Sequence, residues 1–64
     1  MSLELHLTYW HKGVGWKGQI WGKRGSKSLG VIADGMFPSM SAVKQWARSW
    51  AHSKRAKLTM EQWR

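Results

Sequence analysis

Residues 3 to 10 alternate without a break, with Leu3, Leu5, Leu7 and Tyr9 against Glu4, His6, Thr8 and Trp10. A period of two puts the first set on one face of an extended chain and the second on the other, the pattern of a half-buried strand. Two further stretches repeat it. Trp16, Gly18, Ile20 and Gly22 oppose Lys17, Gln19, Trp21 and Lys23, and Leu29, Val31 and Ala33 oppose Gly30 and Ile32. The connections carry turn chemistry. Gly13-Val14 sits inside His11–Gly15, and Gly25-Ser26 places a glycine at the first central position of a two-residue turn.

Parity tests this arrangement. With Gly25-Ser26 as the turn, Ile20 pairs with Val31 and Gly22 with Leu29 on the inner face. Trp21 then meets Gly30, and Lys23 meets Ser28, on the outer one. With Gly13-Val14 as the first turn, Leu7 meets Ile20 on the same inner face. A slip of one residue would mix the faces.

Asp34-Gly35 reads as a turn, and Met36-Phe37-Pro38 leads to a helix over residues 40 to 55, capped by Ser39 or Ser41. Val43, Trp46, Ala47, Trp50 and Ala51 recur at helical spacing, an apolar stripe wide enough to face a core. Lys44, Arg48 and His52 line the other side. The tail is basic at first, and Thr59 with Gln62 makes a possible capping box for a last helical turn carrying Trp63. The expected fold is α+β: a three-stranded antiparallel meander with one helix packed on one face (β-β-β-α). Residues 1–55 form the single domain, and 56–64 a basic tail with a short helical turn.

A core this small needs its aromatics. At 64 residues without cysteine, the chain lies near the lower size limit for unaided folding and has neither a disulfide nor a thiolate zinc site to help. Six tryptophans supply the apolar area, and they exceed what such a core easily hides. Eleven Lys and Arg against three Asp and Glu give a net charge of +8, which favours polyanions or an acidic protein face. The N-terminal segment lacks the basic and apolar regions of a signal peptide, and the apolar runs are short of a membrane span. A soluble, intracellular (cytoplasmic) protein is expected, with no membrane partner.

Catalysis is not expected. Glu4, Asp34 and Glu61 are the only carboxylates, and none of His6, His11 or His52 has a base or orienter suggested by its neighbours. His6 and His11, brought close by the first hairpin, would be only two metal ligands, and surface histidine is the better reading. No metal and no cofactor are expected. Trp16, Trp46 and Trp50 read as core.

The outer sheet face is the sharper signal. Trp10 and Trp21 stand with Lys17, Gln19 and Lys23, and Lys12, Arg24 and Lys27 rim them in the two hairpin loops. Aromatic platforms among cations suit stacking on bases while neutralising phosphates. The competing reading is that the C-terminal tail covers one or both indoles.

Gly15-Trp16-Lys17-Gly18-Gln19-Ile20-Trp21, then Leu29-Gly30, then Phe37 followed by Ala42 and Ala47, resembles two related groups. They are the Apetala-type DNA-binding domain of plant transcription factors and the N-terminal arm-binding domain of phage and transposon integrases. The resemblance implies a sheet face lying in the DNA major groove, through Lys17, Gln19, Trp21 and Lys23 with Arg24 at the turn. The expected function is a small nucleic-acid-binding domain, with DNA favoured over RNA. The alternative is a small phage- or mobile-element-type inhibitor that binds a larger, acidic protein through the same patch, since Trp and Arg are common interface anchors.

Overall fold

The computed structural model describes residues 3–63. Strand β1 (Leu3–Lys12) pairs antiparallel with β2 (Gly15–Arg24), and β2 with β3 (Lys27–Phe37); helix α1 (Met40–Lys54) then leads to β4 (Lys57–Gln62). The four strands form one sheet in the order β3-β2-β1-β4, with β4 parallel to β1. The meander is therefore extended to a mixed four-stranded sheet, which corrects the expected three-stranded β-β-β-α architecture. Strands β3 and β4 run the same way at opposite edges, so α1 must return across the two central strands to join them. That path explains where the core lies. Leu5, Leu7 and Tyr9 of β1 and Ile20 of β2 are buried under Val43, Ala47 and Ala51 of the helix.

The first hairpin follows the expected register, with Leu7 opposite Ile20 and Gly13 at φ 61 in the turn. In the second hairpin, Gly25 has φ 63 and Lys23 pairs with Ser28 as expected. Beyond that pair the expected register fails. Gly22 meets Gly30, Trp21 meets Val31, and Ile20 meets Ala33, because β3 carries two extra residues in bulges. Gly30 supplies the left-handed backbone of the first, at φ 75. The bulges send Leu29 and Ile32 over Gly22 on the helix side, where a Cβ on that glycine would lie 3.3 and 3.4 Å from them. Val31 goes to the outer face beside Trp21. Two slips of one residue cancel, so Ala33 regains the expected parity, opposite Ile20.

Two other expectations are corrected. Asp34-Gly35 is not a turn but part of β3's pairing with Gln19 and Gly18, since Trp16–Gln19 would otherwise have no partner on that side. The tail does not form a helical turn. Leu58 and Met60 alternate with Lys57, Thr59 and Glu61, and β4 occupies the edge that β1 would otherwise leave unpaired.

The helix is capped by Ser39, whose hydroxyl accepts from the Ala42 N–H at 3.1 Å. It ends on Arg55 in the left-handed region (φ 52, ψ 43), with Ala56 N–H donating to Ala51 O at 2.9 Å and Arg55 N–H to His52 O at 3.2 Å. This pair of bonds is the Schellman termination, in which glycine is the usual left-handed residue. The helix surface buried deepest is narrower than the expected stripe. Val43, Ala47 and Ala51 are buried, whereas Trp46 and Trp50 are half-buried on the flank, packed against the core's edge.

The Gly25 turn gives a direct check on the second hairpin. Gly25→Val should destabilise by about 1–2 kcal/mol or more, because a β-branched residue resists positive φ. Urea denaturation would read it, and an unchanged midpoint would exclude the left-handed backbone at this turn.

Candidate nucleic-acid interface

Register lays the outer sheet face out as rows. Lys57, Glu4, Lys23 and Ser28 form one, and Thr59, His6, Trp21 and Val31 the next. Glu61, Thr8, Gln19 and Asp34 form the third, and Trp10, Lys17 and Met36 the last. All three carboxylates of the chain thus stand on this face. Two of them meet a cation or an imidazole, and the third has lysines as its register neighbours. Asp34 lies 3.7 Å from Lys17 Nζ, Glu61 lies 3.2 Å from His6 Nε2, and Glu4 sits between Lys57 and Lys23. The centre of the face is close to neutral.

Its two expected indoles are engaged. The Trp21 Nε1–H donates to Thr8 Oγ1 at 3.1 Å, so the ring reaches across to β1 and satisfies the hydroxyl of a residue that is only 3% exposed. Trp10 stacks on Trp63 at 5.7 Å between ring centroids and 22° between planes. Trp63 is held there by its own N–H donating to Tyr9 O at 2.7 Å. The tail therefore does cover part of the face, at Trp10. Lys12 is exposed beside the first turn, Gln19 stands between Thr8 and Asp34, and Lys23, Arg24 and Lys27 are exposed around the second turn.

His6 also meets Thr59, with Nδ1 2.6 Å from its Oγ1, so hydroxyl, imidazole and carboxylate are joined in sequence. The His6 and Glu61 side chains are 42% and 60% exposed, so water competes for these bonds, and their evident effect is to fasten β4 to β1. His11 points the other way, edge-on to Trp16 at 5.3 Å. The two histidines sit on opposite faces of β1, which removes the two-ligand metal arrangement, and no group of three metal-ligating side chains occurs among the described residues. No helix among them is long and apolar enough to cross a membrane.

A second cluster gathers at one end of the long axis, which measures 38 Å. Leu3 pairs with Arg24 and Glu4 with both Lys23 and Lys57, so the second hairpin and the start of β4 meet there. The helix returns to the same end and stops at Lys54 and Arg55, two residues before β4. Lys23, Arg24, Lys27, Lys54, Arg55 and Lys57 are all exposed, with Glu4 as the one carboxylate among them. Among the described residues, none of these six forms an ion pair. Sequence reasoning found the three on the hairpin. It missed the three from the helix end and β4, because their proximity depends on the return path of the chain. Comparison with protein-family models, curated proteins and solved structures finds no match for this chain.

Proposed function

We propose that this protein is a small nucleic-acid-binding domain, with DNA as the expected partner, and that the cationic end of the molecule grips the phosphates. The observation that carries the reading is the segregation of charge. Asp34 and Glu61 offset charge on the sheet face, while six exposed cations from four elements crowd one end with Glu4 as its single carboxylate. Phosphate neutralisation supplies most of the affinity of sequence-independent binding, so the ligand should settle where cations are unpaired. Lys23, Arg24 and Lys27 keep the role expected of them, and Lys54, Arg55 and Lys57 join them. In the families the sequence resembles, the sheet face itself enters the major groove; here that face supports phosphate binding less well than the end does.

Arg55 adds an independent reason. A left-handed residue other than glycine costs about 1–2 kcal/mol, and such strain gathers where a side chain is needed for something else. Glycine at this position would lower that cost, offset by the extra freedom it gives the unfolded chain, about 0.4–1 kcal/mol. Arg55→Gly should therefore stabilise the fold by on the order of 0.5 kcal/mol. It should also weaken binding to a DNA oligonucleotide about fivefold near 0.15 M salt. Thermal melting and fluorescence anisotropy on the same samples would measure both. A variant more stable and equally tight would remove Arg55 from the interface.

One observation favours the second reading, a protein partner. The near-neutral sheet face, with Trp10, Trp63 and exposed Met36 along one side, suits a protein surface better than a polyanion. Binding there would respond weakly to salt.

A further inference from the structure

Along one flank of α1, Trp46, Ser49, Trp50, Ser53 and Lys54 line an open groove of about 390 Å³. Trp46 is anchored against Phe37 at 4.8 Å between ring centroids, which places this flank on the β3 side of the helix. Trp50 follows one helical turn later, so the groove runs toward the cationic end. Its last lining residue, Lys54, is itself one of the six clustered cations. Both indoles are half-buried, so their inner edges are fixed by the core while part of each ring faces the groove.

The Lys54 Nζ lies 5.7 Å from the centroid of the Trp50 ring. That contact marks an open π-face, covered by an exposed and flexible lysine. An exposed cation–π contact is worth about a 2- to 5-fold preference, whereas a base stacked on an aromatic ring is worth about 5- to 150-fold. A base can therefore displace the ammonium, which is then free to follow the neighbouring phosphate. Ser49 and Ser53 add hydroxyls able to donate to or accept from a base edge.

We infer that this groove takes an unpaired nucleobase, so that the protein prefers single-stranded nucleic acid to duplex. The inference rests on the nucleic-acid reading above and goes further, because phosphate grip alone does not distinguish stacked from unstacked bases. In a duplex the π-faces are already covered by neighbouring pairs, and the groove has nothing to receive.

The test uses three probes of about twelve nucleotides: single-stranded oligothymidylate, the same strand with abasic sugars throughout, and a duplex. The wild type should bind oligothymidylate about tenfold more tightly than the abasic strand, which carries the same phosphates. Trp50→Leu keeps an apolar side chain against the core, and Ser53→Met fills the groove from an exposed position. Each should reduce that preference to about twofold or less with the salt slope unchanged. If Trp50→Leu fails to fold, Ser53→Met decides. Equal binding of the abasic strand by the wild type, tighter binding of the duplex, or a preference that survives in Ser53→Met would overturn the inference while leaving phosphate binding intact. If none of the three probes binds at low salt, the nucleic-acid reading falls and this inference with it.

Discussion

Gly18→Val is expected to unfold the domain. A Cβ at Gly18 would stand 2.4 Å from Val43 Cγ2 and 3.1 Å from Trp46 Cζ3, with Leu7 Cδ1 3.6 Å away. Here the helix passes close over the sheet, and Leu7 and Val43 are fully buried. Overpacking a core commonly costs about 1–3 kcal/mol, and valine adds two methyl groups beyond the clashing Cβ. A chain of this length has about 3–10 kcal/mol of stability in all. Circular dichroism should show loss of the cooperative melt. Gly18→Ala should fold but be weakened, and Val43→Ala should relieve it, because the shortest clash is with the Val43 methyl. A double-mutant cycle would measure that coupling. A Gly18→Val protein that melts like wild type would mean the helix does not cross at this point.

The second large effect concerns binding. Arg24→Gln, Lys27→Gln and Lys54→Gln together should weaken DNA binding on the order of 50- to 150-fold near 0.15 M salt. Each phosphate contact contributes about 0.7–0.9 to the salt slope, which is about four- to fivefold in affinity at that concentration, and three multiply. All three side chains are exposed and form no ion pair among the described residues, and Lys54 gives up only its exposed contact with the Trp50 ring, so stability should change by no more than about 1 kcal/mol. Anisotropy titrations with a melt on each sample would separate the two. A loss below about threefold would show that the ligand lies elsewhere.

Much of the fold was legible in the sequence because period-two alternation is a strong local signal. Leu3 to Trp10 and Trp16 to Lys23 set their own faces, the first glycine turn set the first register, and the serines at 39 and 41 marked the helix start, with Ser39 proving to be the cap. What was not legible has identifiable causes. The bulges in β3 replace a regular ladder with two compensating slips, and the stretch Ser28 to Ala33, with Gly30 as its one glycine, gives no local sign of them. The tail was ambiguous. Thr59 and Gln62 fit a capping box, while Leu58 and Met60 fit a strand, and the choice was made by an unpaired edge on β1 more than fifty residues away. The candidate site suffered most from this. Without β4, Glu61 does not come to the sheet face, and without the extended β3, Asp34 does not reach Lys17. The face then reads as basic when it is nearly neutral. The fold also brings Lys54, Arg55 and Lys57 to the hairpin cations, a proximity invisible in chain order.

The most direct test of where phosphates bind compares two variants that remove the same charge from different places. Arg24→Gln with Lys27→Gln strips the cationic end, and Lys12→Gln with Lys17→Gln strips the far side of the sheet face. Each pair lowers the net charge equally, so long-range electrostatics are matched and only position differs. The quantity to measure is the slope of log affinity against log salt for one DNA oligonucleotide. The first pair should lower its magnitude by about 1.4–1.8, and the second should leave it within about 0.5 of wild type. The reverse pattern, with the slope lost on removing Lys12 and Lys17 and kept without Arg24 and Lys27, would contradict the account and return the interface to the sheet face.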